Sequence, residues 1–174
     1  MFRSGGTNED RRFSRPALDR NTLAQRPLLA RKTRPGIWGW WLVEVDDEKR
    51  LMRQAVDHFN RGDFFECHEF WENLWHEEPP RERDFMQGLI QVAVGCEHFK
   101  RGNTRGAITL TTRGIEKLAK YPRRHRGIQV GQIQRDARDM LRALRLVQSG
   151  QAPREDVVLP SVEYDEHAYV SGHA

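Results

Sequence analysis

The chain has 174 residues, 37% hydrophobic and 31% charged, which is enough for one domain with an ordinary core plus tails but not for a wholly folded chain. Its net charge of +4 is uneven: residues 1–36 hold nine Lys or Arg against three acids, so the remainder is close to neutral. No apolar run approaches the ~18 residues that cross a bilayer, and the phosphate-loop, Gly-x-Ser-x-Gly and paired-Cys motifs are missing, which removes support for membrane spanning, nucleotide hydrolysis, serine chemistry and zinc ribbons.

Residues 1–36 combine Arg, Pro, Gly and polar residues without periodicity and read as a disordered basic tail, because such a segment buries too little to offset the entropy of ordering. A tail of this charge can meet nucleic acid or an acidic membrane, but most are simply solvated, and Glu9, Asp10 and Asp19 count against a transit peptide. An all-helical domain is expected over 37–150. At its start Trp38, Trp40, Trp41, Leu42 and Val43 form an aromatic patch that must pack on the domain or on a partner. Asp46 or Asp47 is expected to cap a first helix with Leu51, Met52, Ala55, Val56 and Phe59 as its inward stripe.

Gly62 ends that helix, and Asp63 is expected to cap the second through its carboxylate. There Phe64, Cys67, Phe70, Trp71, Leu74 and Trp75 recur at spacings of three and four, making one apolar face bordered by His68, Glu69, Glu72 and His76. Pro79 and Pro80 stop it. A third helix, from about Arg81 to Arg101, is apolar around most of its circumference and should be central; Gln87, Gln91 and His98 form its uncharged polar stripe, and Gly88 and Gly95 would let a neighbour approach closely. Gly102 and Asn103 repeat the stop-and-cap grammar before a fourth helix that ends near Tyr121 and Pro122. After the basic loop Arg123 to Gly127, a fifth helix over 130–148 buries Ile133, Ala137, Met140, Leu141, Leu144 and Val147. Its outer side carries Arg135, Arg138, Arg142 and Arg145. This row lacks interleaved aromatics, so it reads as a solvated face and nucleic acid is not the expected partner. Residues 151–174 show no helical pattern and read as an extended tail.

Shifting the chain by 40 residues lays His58-Phe59-Asn60-Arg61-Gly62-Asp63 over His98-Phe99-Lys100-Arg101-Gly102-Asn103. Both copies join a helix end, a one-glycine turn and a helix start, which predicts two stacked helical hairpins with tetratricopeptide-like packing, plus a C-terminal helix. The fold class is therefore all-α, a five-helix bundle. The repeat also separates scaffold from site, because His68, Glu69, Glu72 and His76 fall opposite Ile108, Thr109, Thr112 and Glu116, so hairpin packing does not require them.

His and carboxylate one turn apart on a helix suit a divalent metal such as zinc, iron or manganese. His68-Glu69-x-x-Glu72 has Glu where a zincin helix has its second His, which argues against a metalloprotease. The expected site is instead an inter-helix cleft in which His68, Glu69, Glu72, Gln87, Gln91 and His98 hold a polar ligand or, through His68, Glu72 and His98, a divalent metal ion. Its rival is a buried His/Glu hydrogen-bond network in a protein-interaction module, with a metal-dependent hydrolase as the third reading. Cys67 and Cys96 sit in apolar stretches and read as small buried hydrophobes, which suits a reducing, cytoplasmic setting; a homo-oligomer stays open.

The blocks Phe59-x-x-Gly62-x-Phe64-Phe65-Glu66-Cys67-His68-Glu69-x-x-Glu72-x-x-Trp75, Gln87-Gly88-Leu89-Ile90-Gln91 and Arg101-Gly102-Asn103-x-x-Gly106-Ala107 resemble the family catalogued as domain of unknown function 309. The resemblance covers about residues 50–121. It implies a compact all-helical domain of prokaryotic or plastid type and no particular activity.

Overall fold

The computed structural model describes residues 40–170, with side chains from residue 46 onward, so the expectations for residues 1–36 and for the Trp38 to Trp41 side chains fall outside the described residues. Among the described residues five α-helices follow in chain order: α1 (Trp40–Arg61), α2 (Phe64–Glu77), α3 (Pro80–Lys100), α4 (Thr104–Leu118) and α5 (Val130–Gln148). The all-α bundle of hairpins expected from the 40-residue repeat is the observed architecture. Among the described residues no helix is long and apolar enough to cross a membrane.

Helix α1 begins ahead of the expected cap. No Gly or Pro interrupts residues 40–46, so the helix runs on upstream, and Asp47 lies inside it, paired with Arg50 at 2.9 Å. The two hairpin turns close alike. Gly62 (φ +82°) and Gly102 (φ +83°) take the left-handed conformation that a Cβ disfavours, and the amides after them, Asp63 N and Asn103 N, donate to His58 O (2.9 Å) and His98 O (2.8 Å). The caps differ. Asn103 accepts from Gly106 N at 2.8 Å as expected, whereas the Asp63 carboxylate makes no cap bond. It turns to His58 Nδ1 at 3.5 Å, because the His58 ring, stacked on Phe70, stands within its reach.

The core lies where the inward stripes meet. Met52, Phe59, Phe64, Trp71, Phe85, Leu89, Ile133, Met140 and Leu144 are fully buried in it. Trp71 Nε1 donates to Met52 Sδ at 3.3 Å, so the one polar atom of this buried indole is satisfied inside the core. Cys67 and Cys96 are free and buried, and desolvation raises both thiols well above their ordinary range, which agrees with small hydrophobes rather than ligands.

Residues 151–170 hold no α-helix, only two single 3-10 turns at Arg154–Asp156 and Glu166–Ala168, and they fold back across the bundle. Arg154 donates to Phe99 O and, at 3.3 Å, to Lys100 O, supplying the last carbonyls of α3 with a cation. Asn60 on α1 clasps the backbone of Val162 from both sides, donating to its carbonyl (2.9 Å) and accepting from its amide (2.8 Å). Val157, Val162 and Tyr169 of this segment are buried.

Candidate functional site

Local helix geometry separates the residues singled out from the sequence. On α2, His68 Nε2 stands 2.9 Å from Glu72 Oε1, one turn on, and the His68 ring tilts against Phe65 at 6.2 Å between centroids. Glu69 is exposed beside them. The stripe on α3 belongs elsewhere. A Cβ added to Gly88 would meet Leu118, and one added to Gly95 would meet Thr111 and Ala107, so this side of α3 faces α4. Gln91 lies three residues after Gly88 and four before Gly95, and therefore borders the α3–α4 seam. His98 borders it too, with Nδ1 accepting from Asn103 Nδ2 at 3.0 Å. Gln87 flanks the same stripe and is half-buried, and Gln91 Oε1 is buried without a hydrogen-bond partner.

Of the expected set, the structure joins only His68 to Glu72. His68 and Glu72 meet each other, but no hydrogen bond or ion pair among the described residues joins them to Gln87, Gln91 or His98. Nor does any group of three or more His, Cys, Asp or Glu among those residues stand where it could hold a metal ion. The cause is rotational: the polar stripe of α3 turns towards α4, while the pair on α2 turns outward.

The densest buried charge is one that sequence reasoning passed over. Arg126, in the loop after α4, is 1% exposed through its side chain, as is Glu78 at the end of α2. The guanidinium donates to Glu78 and to the Tyr169 hydroxyl, lies 3.4 Å from Glu48 Oε2, and sits 5.1 Å from the centre of the Tyr169 ring. Tyr169 donates in turn to Glu48 at 2.8 Å. One step away, His125 Nε2 and Glu82 Oε2 are 2.6 Å apart, with Phe85 and Tyr121 around the imidazole. Burial alone would lower the Arg126 pKa, but Tyr169 and Glu78 outweigh it and hold it above the ordinary arginine value. Arg126 also takes φ +47°, in the left-handed region that a non-glycine residue enters at a cost. This cluster ties α1, the α2–α3 junction, the loop and the C-terminal segment together. The sequence offered only Pro122 to Gly127, a run in which nothing marks Arg126 apart from Arg123 and Arg124.

Burial raises all three tyrosines of the chain: Tyr121, Tyr164 (to about 12) and Tyr169, the last opposed by Arg126 and helped by Glu48. A folded-state pKa above the unfolded value of 10.0 contributes stability that is full below pH 10 and lost as pH rises towards 12. Absorbance at 295 nm should therefore show little phenolate at pH 10 and a steep rise above it that coincides with loss of helical circular dichroism. Half-ionisation of the tyrosines at pH 10 with the fold intact would contradict this burial.

Three motif blocks and the repeat lie within the region that comparison with other proteins identifies. Residues 52–110, from α1 to the middle of α4, match the family model described as domain of unknown function (DUF309). An uncharacterized protein of Aquifex aeolicus (strain VF5) is 30% identical over 93 residues, which are 53% of this chain and 28% of that protein. Uncharacterized protein YpuF of Bacillus subtilis (strain 168) is 41% identical over 71 residues, 40% of this chain and 41% of its own length. The matched region thus spans less than half of either relative.

Proposed function

We propose, starting from a chain whose residues 52–110 match the DUF309 family, that the folded part is a protein-interaction module presenting the outward side of α2. The observation that supports this most is Phe65, a large apolar side chain 52% exposed on a helix side otherwise made of Glu66, Glu69, Glu72 and Asn73. An apolar residue ringed by polar ones has the composition of an interface centre and its rim. His68 rests against Phe65 and pairs with Glu72, so part of this side is ordered before a partner arrives and less side-chain entropy is lost on binding. The repeat points the same way, since Phe65, Glu66, Glu69 and Glu72 fall opposite Arg105, Gly106, Thr109 and Thr112, with which α4 fulfils the same hairpin role.

A metal or polar-ligand site spread over His68, Glu69, Glu72, Gln87, Gln91 and His98 gains no support from this geometry, because its two halves border different surfaces. The test is a photo-crosslinking residue at position 65 of the full chain, expressed in cells, against one at Thr109, which is exposed on α4. A discrete adduct from position 65 that disappears with Glu69→Lys/Glu72→Lys is expected. The same adducts from both positions, or none from 65, would overturn the reading.

A further inference from the structure

Charge on the folded part is near neutral in sum but divided in space. Residues 40–100, which form α1 to α3, hold fourteen acids and seven Lys or Arg, whereas residues 101–150, with α4 and α5, hold twelve Lys or Arg and three acids. The acidic half exposes Glu66, Glu69 and Glu72 along α2; the basic half exposes Arg135, Arg138, Arg142 and Arg145 along α5, at spacings of three, four and three that keep them on one side. Two of the exposed large hydrophobic side chains stand on these opposed faces, Phe65 (52%) among the acids and Leu146 (45%) among the arginines.

We infer that the partner of the α2 face is α5 of a second copy of this chain, an assignment that rests on reading α2 as a recognition face. The two surfaces are complementary in order as well as in sign. Counted from Phe65, Glu69 and Glu72 lie one and two turns towards the C-terminus, about 6 and 10.5 Å along the axis. Counted from Leu146, Arg142 and Arg138 lie one and two turns towards the N-terminus, about 6 and 12 Å. Apposed antiparallel, the helices set Phe65 against Leu146, Glu69 against Arg142 and Glu72 against Arg138. The groups are available for this. Glu66 and Glu69 carry no ion pair among the described residues, and neither do Arg135 and Arg145. Arg138 donates only to Gln134 Oε1 at 3.0 Å. Asp139, the acid within the arginine row, already holds Arg142, and Glu69 takes that guanidinium from its open side. Asp136 is occupied by Gln132.

Because α2 of one copy meets α5 of another, the contact is heterologous and leaves each copy a free face of either kind, so assembly grows into a ring or a chain. Exposed charge pairs are screened by salt, so the assembly weakens with ionic strength. Sedimentation velocity of the full chain at about 0.03 M and about 0.5 M salt reads this directly. Self-association at the low value and its loss at the high one are expected. Two surface variants sharpen the test, with melting temperatures checking that both stay folded. Glu66→Lys/Glu69→Lys/Glu72→Lys makes both faces basic, and Arg138→Glu/Arg142→Glu/Arg145→Glu makes both acidic. Each alone should sediment as a monomer, and an equimolar mixture should regain association. A wild-type chain monomeric at both salts, a mixture that stays monomeric, association abolished by nuclease, or crosslinks from position 65 into residues 1–36 would each overturn the proposal. A monomeric chain that still gives a discrete position-65 adduct with a different protein removes the second copy but keeps the α2 face; a monomer with no such adduct removes both.

Discussion

Arg126→Leu is expected to lower the melting temperature by roughly 10–20 °C, the consequence of about 3–5 kcal/mol lost when one member of a buried ion pair is removed. Arg126 and Glu78 are each 1% exposed through their side chains, and Glu48 shares the same guanidinium at 3.4 Å. Without it, the Glu78 and Glu48 carboxylates lose a guanidinium in a poorly hydrated place, and the cost of keeping them charged there, more than the lost contact, dominates. Arg126→Leu/Glu78→Leu should recover a large part of the loss, because an apolar pair of similar volume carries no charge to desolvate. Arg126→Gly should be somewhat less harmful than Arg126→Leu, since φ +47° costs glycine little. Hydrogen exchange in residues 157–169 should accelerate in each single variant, because Tyr169 loses the donor that fastens the C-terminal segment. Chemical denaturation showing a loss below about 1 kcal/mol for Arg126→Leu would mean that the cluster does not hold the fold.

The second large effect lies in the α3–α4 seam. Replacing glycine by alanine within a helix ordinarily stabilises by about 1 kcal/mol. Gly114→Ala should do the reverse, because its Cβ would come 2.9 Å from Gly88 O and 2.7 Å from Val92 Cγ2, and backbone cannot give way as a flexible side chain can. The helices must separate, and overpacking of this kind costs about 1–3 kcal/mol, enough to outweigh the propensity gain. Gly131→Ala in α5 is the contrast. Its nearest foreign atoms lie at 3.5 Å or more, ordinary contact distances, so this substitution should raise stability by about 0.4–1 kcal/mol. Denaturant midpoints moving in opposite directions for the two alanines would establish the close approach, and a common direction would refute it.

Helix number, the turns and the central position of α3 were all legible in the chain, because they depend on short-range chemistry: apolar spacing, a glycine after each helix and prolines that halt α2. The Asp63 cap was misread for a local reason as well, since His58, stacked on Phe70, offered its carboxylate another partner. The candidate site was legible only in part. The sequence set His68 and Glu72 one turn apart and the structure joins them at 2.9 Å, but spacing along two separate helices says nothing about how each is rotated against its neighbours. Close approach through Gly88, Gly95 and Gly114 decided that rotation, turning the Gln87, Gln91 and His98 stripe towards α4. Burial of Arg126 was likewise beyond reading, because its partners come from 48 residues before it and 43 after it, and three arginines in one loop look alike until those groups converge. Periodicity along a helix is a property of neighbours in the chain, whereas the fate of a charge depends on which distant groups the packed bundle brings around it.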